Sequence, residues 1–170
     1  CGIATDITER KKMEESLRES ERKVRAIFDL SFEFIGLLAP DGILLDVNKT
    51  ALDFAGAQLS DVVGKPFWET PWWSHSPEMQ ALIRTAIENA AKGTLIRAEA
   101  LHPAPDGSLH SIDFTLRPVT DDTGKVILII PEGRDISERK QAELEQLHLQ
   151  SQLAQAQRME SVGRLAGGVA

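Results

Sequence analysis

Asp135-Ile136-Ser137-Glu138-Arg139-Lys140 separates two kinds of sequence. Before it, Val126-Ile127-Leu128-Ile129-Ile130 is continuously apolar and mostly β-branched, the composition of a buried strand. After it, Gln141 to Arg158 contains neither Pro nor Gly and is rich in Gln, Glu, Leu and Ala, which helices tolerate well. Asp135 suits the N-cap between them. Its carboxylate can accept from free N–H groups of the first turn while Glu138 reaches back, a capping box with Asp in the Ser/Thr role. The stretch predicts a domain's last strand joined directly to a helix that leaves the domain.

The pattern occurs twice. Asp6-Ile7-Thr8-Glu9-Arg10-Lys11 repeats it with one Thr/Ser exchange, at an offset of 129 residues (135 minus 6). That offset is roughly one domain length. A tandem array accounts for it: residues 1–6 end the last strand of a preceding domain, 7–30 form a linker helix, 31–136 form a complete domain, and 137–170 form the helix leaving it. The competing account is chance recurrence of a common helix start, which five identities in six positions disfavour.

Composition narrows the class. A chain of 170 residues holds one compact domain plus helical extensions. The net charge of −7, without a basic patch, argues against nucleic acid as a partner. No apolar run is long enough to span a bilayer and no signal peptide is visible, so no membrane contact is expected within these residues and a cytoplasmic location is expected. The first residue is not Met, which suggests an excised piece whose parent is either soluble or membrane-anchored. The single Cys1 excludes an internal disulfide, a Cys-based metal site and a cysteinyl chromophore in the middle of the domain.

In chain order, residues 7 to 30 carry Met13, Leu17, Ser20, Val24 and Ile27 at 4-3-4-3 spacing among Glu, Lys and Arg. This narrow seam predicts a helix paired with another helix, or else a solvated connector. Phe34 to Leu38 and Ile43 to Val47 read as a hairpin around Pro40-Asp41-Gly42. Asn48 fits the N-cap of a short helix, Lys49 to Phe54, ended by Gly56. Ser60 and Asp61 open a single turn closed by Gly64. Ser76-Pro77 starts a longer helix to Lys92 with Met79, Leu82, Ile83, Ala86, Ile87 and Ala90 on one face. Thr94 to His102, Leu109 to Val119 and Val126 to Ile130 are three further strands, the middle one alternating Ile112, Phe114 and Leu116 with polar residues.

That order, together with Pro40-Asp41-Gly42, Asp46-Val47-Asn48, Val63-Gly64-Lys65-Pro66, Pro105-Asp106-Gly107 and Gly133-Arg134-Asp135-Ile136-Ser137-Glu138-Arg139, resembles the PAS domain family over roughly Ala26 to Lys140. The resemblance implies an α+β fold: a five-stranded antiparallel sheet of order 2-1-5-4-3, helices on one face enclosing a small pocket, and long flanking coiled-coil helices. It also implies a module that senses or dimerises and relays a signal through the helix after the last strand, with Asp135, Ile136, Ser137 and Glu138 at the relay joint. Gln155 to Ala170 is similar to the first helix of the dimerisation and phosphotransfer domain of sensor histidine kinases. In that family the phosphoacceptor His follows the Gly-Gly-hydrophobic-Ala run, and here the sequence stops at Ala170. The resemblance therefore implies a non-catalytic regulatory segment of a two-component sensor histidine kinase, with neighbouring PAS and kinase domains and a response regulator as partners of the parent. A homodimer is expected through Met13, Leu17, Val24 and Ile27 and through Leu144, Leu147, Leu153 and Met159. Leu149 and Leu153 lie on a different seam from Leu144 and Leu147, a shift that suggests a stutter.

No catalytic constellation is present, and His75, His102, His110 and His148 form no metal spacing. His75 lies near where haem-binding PAS domains carry an axial ligand, although a loop role is the simpler reading. His102 and His110 flank a hairpin and read as a wet hairpin end. Trp68, Trp72 and Trp73 either line a pocket with His75 and Phe114 or cover the open face of a small domain, and covering is favoured. No cofactor is expected: haem and flavin lack positive support, and an unknown small ligand stays open. A signal-relay module ranks above a ligand-free dimerisation spacer, which ranks above a haem or flavin sensor.

Overall fold

The computed structural model describes residues 2–168. The chain divides into two units at Arg134/Asp135. The first unit begins with helix α1, Gly2–Asp29. Strand β1, Phe34–Leu38, and strand β2, Leu44–Val47, follow. Helix α2 (Lys49–Ala55), the single turn α3 (Leu59–Val62) and a 3₁₀ turn at Phe67–Glu69 lead to helix α4, Pro77–Ala90. Strands β3 (Ile96–Pro103), β4 (Leu109–Thr120) and β5 (Val126–Asp135) complete one antiparallel sheet of order β2-β1-β5-β4-β3. The second unit is helix α5, Ser137–Gly167.

Each element follows local chemistry. Asn48 caps α2 by accepting from Ala51 N at 3.2 Å, and Gly56 closes it at φ +63°. The Ser76 hydroxyl oxygen caps α4 by accepting from Met79 N, with Pro77 in the first turn. A cap contributes about 1 kcal/mol, whereas fully burying Ile83 and Ile87 contributes about 1.5–3 kcal/mol each. The apolar face therefore fixes where α4 lies, and the cap only fixes where it starts. That face meets the inward side chains of the sheet, Leu38, Leu44, Ile112, Phe114, Leu116 and Ile129, in a single buried core.

The structure departs from the sequence reading in several places. Residues 2–6 are helical and continue into α1, where a strand end was expected. A strand without a neighbour leaves its N–H and C=O groups unpaired, and a helix satisfies them internally. Cys1, and the Val169 and Ala170 that end the kinase-like helix, lie outside the described residues. Strand β5 runs five residues beyond Ile130, to Asp135, because Phe34 and Ile35 of β1 pair with Gly133 and Glu132. The cap of α5 consequently moves one place to Ile136, and Asp135 accepts from Ser137 N at 2.9 Å in an Asx turn instead of forming the capping box with Glu138. Finally, Leu82 is exposed and does not belong to the buried face of α4.

Candidate functional site

Between the inner face of the sheet and the segment following the 3₁₀ turn lies an apolar cavity of about 50 Å³. Its walls are aromatic: Phe34, Phe67, Trp72, Trp73 and Phe114 line it, with His102. The Trp73 ring stands edge to face against Phe114, at 5.3 Å between centroids, and against His102, at 4.6 Å. Its floor is formed where the sheet carries little bulk. The pairs Phe34↔Gly133, Ile35↔Glu132 and Leu38↔Ile129 share one register, which places Pro131 opposite Gly36. Pro131 has no N–H to give the ladder. A Cβ on Gly36 would come within 3.0 Å of the Pro131 ring, and one on Gly133 within 3.1 Å of Ile112. Larger residues at either position would press on the neighbours that shape the space.

His102, expected at a wet hairpin end, is only 4% exposed. It lies in phase with Ala98 and Ala100 on the inner face of β3, opposite His110. The period-2 run Ile96, Ala98, Ala100, His102 carried that signal. Its Nδ1 donates to the Trp72 carbonyl at 2.6 Å. Burial pushes its pKa down to about 4, against that hydrogen bond and with His75 acting in the same direction as burial. The ring is therefore neutral near pH 7. A protonated Nδ1 leaves Nε2 as its acceptor. Trp73, 2% exposed, keeps its indole Nε1–H without an acceptor among the described residues.

The expected site residues separate. Trp72, Trp73 and Phe114 line the cavity. Trp68 does not: it lies half-buried beside Gly42 and Pro40, with the Arg84 guanidinium 5.3 Å from its ring centroid. His75 is exposed, and its ring approaches His102 only at 6.2 Å. The strand charges point to the other face of the sheet, where Arg97 pairs with Asp113 at 2.7 Å and Arg117 with Glu132 at 3.5 Å.

A second constellation escaped the sequence reading. Asn48 is completely buried, and all its polar atoms are engaged. Its Oδ1 accepts from Ile35 N at 3.0 Å and from Ala51 N, and its Nδ2 donates to Phe28 O at 3.0 Å and Glu33 O at 2.8 Å. One side chain thus ties the end of α1, the connector, β1 and α2 together. Arg25 adds an ion pair to Asp46 at 2.6 Å, and Asp29 accepts from Lys49 N at 3.1 Å. Residues of α1 before Phe28 are exposed, including Met13, Leu17, Val24 and Ile27. On α5, Leu144, Leu147, Leu153 and Met159 are exposed as well. Glu138 is exposed and Ile136 buried.

The family model described as the PAS fold matches residues 28–141. The chain belongs to the PAS family. Two relatives of this PAS domain are kinases. Sensor histidine kinase TmoS of Ectopseudomonas mendocina is 38% identical over 125 residues, 72% of this chain and 13% of that protein. Hybrid signal transduction histidine kinase D of Dictyostelium discoideum is 39% identical over 132 residues, 76% of this chain and 8% of that protein. The PAS domain of an HTR-like protein from Haloarcula marismortui superimposes with a TM-score of 0.59 at 25% identity, covering 74% of this chain and 99% of that one. The chain is thus homologous to the PAS domains of sensor histidine kinases, a sensory signalling class, and as a PAS domain it is non-catalytic in itself. It spans only about a tenth of the length of those kinases. Among the described residues no helix is long and apolar enough to cross a membrane, and no group of three metal-ligating side chains converges.

Proposed function

We propose that this PAS domain is the signal-relay module of a cytoplasmic region of a two-component sensor histidine kinase. It forms a homodimer through α1 and α5, and it biases the packing of those helices through the joint at Asp135, Ile136, Ser137 and Glu138. The parent kinase then autophosphorylates and passes the phosphoryl group to a response regulator. The observation that carries the reading is the exposed seam of α1. Met13, Leu17, Val24 and Ile27 recur at helical spacing and are all more than 60% exposed on a helix of 28 residues with no buried side chain. An isolated helix gains nothing from such a row, whereas a second copy in register buries it. A stimulus acts on this device only by favouring one helix packing over another. Haem and flavin have no part in the reading. The cavity, about 50 Å³, is far below the roughly 300–1,000 Å³ of pockets for drug-sized ligands.

Sedimentation equilibrium of the chain tests the dimer. The wild type is expected to sediment as a dimer and Leu17→Glu as a folded monomer, because a carboxylate in the seam faces its own symmetry mate. A wild type that stays monomeric at the highest soluble concentration would sink the proposal.

A further inference from the structure

The two edges of the sheet are built differently. β2, at one edge, is four residues long, and its pairing with β1 shifts register at Leu37/Leu38. The loop after it covers it: Leu44 N donates to Lys65 O at 2.9 Å, and Leu44 O accepts from Gly64 N at 2.8 Å. β3, at the other edge, is eight residues long and pairs with β4 in an unbroken register. Edge strands are ordinarily blunted by shortness, bulges, lysines, inward-pointing charges or proline. Residues 95–101 have none of these, and Pro103 is the last residue of the strand.

The register fixes which backbone groups face outward. Ala104 N donates to Ser108 O at 2.8 Å in continuation of the β3–β4 pairing, so the even-numbered residues of β3 exchange hydrogen bonds with β4. Arg97, Glu99 and Leu101 therefore turn their N–H and C=O groups away from β4. Pro103, with no N–H, falls in the same set. The side chains in this phase are exposed, and Leu95 precedes the strand in phase with them. Along the strand they read Leu, Arg, Glu, Leu, an order that is complementary to itself when reversed.

We propose that β3 pairs with β3 of a second copy, antiparallel about a two-fold axis at Ala98, joining two five-stranded sheets into one of ten. In that register Arg97 faces Glu99 of the second copy and Leu95 faces Leu101, each twice by symmetry. Two Ala98 methyl groups meet at the axis, where strands approach most closely. An axis at Arg97 or Glu99 would oppose like charges, and one at Ala100 would set Arg97 against Pro103 and lose a ladder hydrogen bond. Asp113 accepts from Nε of Arg97 at 3.3 Å and from Nη2 at 2.7 Å, and a guanidinium has further donors for a second carboxylate. A single strand pair buries less than the roughly 1,200 Å² of a stable interface, so the contact is weak between dilute chains and acts where chains are already concentrated. It goes beyond the helix pairing and uses none of its residues.

The test uses the whole chain carrying Leu17→Glu, which takes the helix seam out of play, and reads association by sedimentation equilibrium at millimolar concentration. Added to it, Arg97→Glu makes both charged positions acidic and Glu99→Arg makes both basic. Each variant then repels its own copy, whereas an equimolar mixture of the two restores opposite charges at both pairs. Both side chains are exposed, so both variants are expected to fold, which circular dichroism verifies. The Leu17→Glu chain is expected to associate, each charge variant to do so at least about tenfold more weakly, and the mixture to recover the lost association. Damage within one chain would not be repaired by mixing. A Leu17→Glu chain that stays monomeric at millimolar concentration, charge variants that associate as strongly as it does, or a mixture as weak as its components would overturn the inference. The helix pairing is judged separately, by whether the wild type is dimeric at micromolar concentration and Leu17→Glu is not.

Discussion

Asn48 is the residue on which the entry to the domain depends. Its two N–H acceptor contacts and two carbonyl donor contacts leave no freedom to flip the amide, because a flipped group would set Nδ2 against N–H groups and Oδ1 against carbonyls. Asn48→Ala removes the partner of four backbone groups, one buried and three partly buried, so chemical denaturation should show a loss of about 2–4 kcal/mol. Asn48→Asp keeps the contacts to Ile35 and Ala51 but turns a second oxygen toward the Phe28 and Glu33 carbonyls. It should destabilise at least as much and raise amide exchange at the end of α1. Near-wild-type stability in both variants would show that the junction relaxes around the loss. The sequence revealed only one of this residue's four contacts, the cap of α2, since capping is local and readable from spacing. The others reach back 13 to 20 residues. Asp135 was legible as a helix-start residue for the same local reason. Its displacement from the cap was not, because β5 is prolonged by pairing with β1, a partner about a hundred residues away.

The strength of an element's periodicity decided how well it was read. β4 alternates cleanly, with Ile112, Phe114 and Leu116 buried, and its bounds moved by one residue. β3 alternates just as strictly, but in Ala and His, which carry little hydrophobic signal, so His102 was assigned to the wet side. The Trp-rich segment has no period at all, and the division of labour between Trp68 and the pair Trp72 and Trp73 came only from three-dimensional packing. On α5 the apolar positions drift between seams, and the helix carries Gly163 in its interior. A Cβ built there meets nothing within 4 Å, and the backbone conformation is ordinary. Gly163→Ala should therefore stabilise the helix by up to about 1 kcal/mol. It would be seen as a later loss of ellipticity at 222 nm on heating. A decrease in helicity would show instead that a second helix packs closely against that glycine in the assembly.

At the scale of the whole molecule, the fold was legible because motif order and strand count determine the sheet, whereas the cavity depends on what the sheet lacks. Gly36, Pro131 and Gly133 make room, and the aromatic residues lean in without filling it. Burying a neutral imidazole in that wall couples the fold to pH. The folded His102 has its pKa pushed down to about 4 by burial, below the ordinary 6.5, so the unfolded chain binds the extra proton first on acidification. The contribution of neutral His102 to stability is complete above about pH 6.5. It is lost as pH falls toward 4, by at most about 1.4 kcal/mol per pH unit. His75, close to the ring, acts in the same direction as burial, while the hydrogen bond to the Trp72 carbonyl opposes it. Exposed carboxylates such as Asp106 and Asp121, held below their ordinary values by Ser108 and Thr123, respond only in a lower range and do not account for a transition above pH 4. Denaturation midpoints measured from pH 7.5 to 4.5 should therefore fall steadily in the wild type and much less in His102→Gln, which keeps an amide donor for the Trp72 carbonyl. Parallel slopes in the two proteins would mean that the imidazole reaches water through the cavity and titrates without opening the domain.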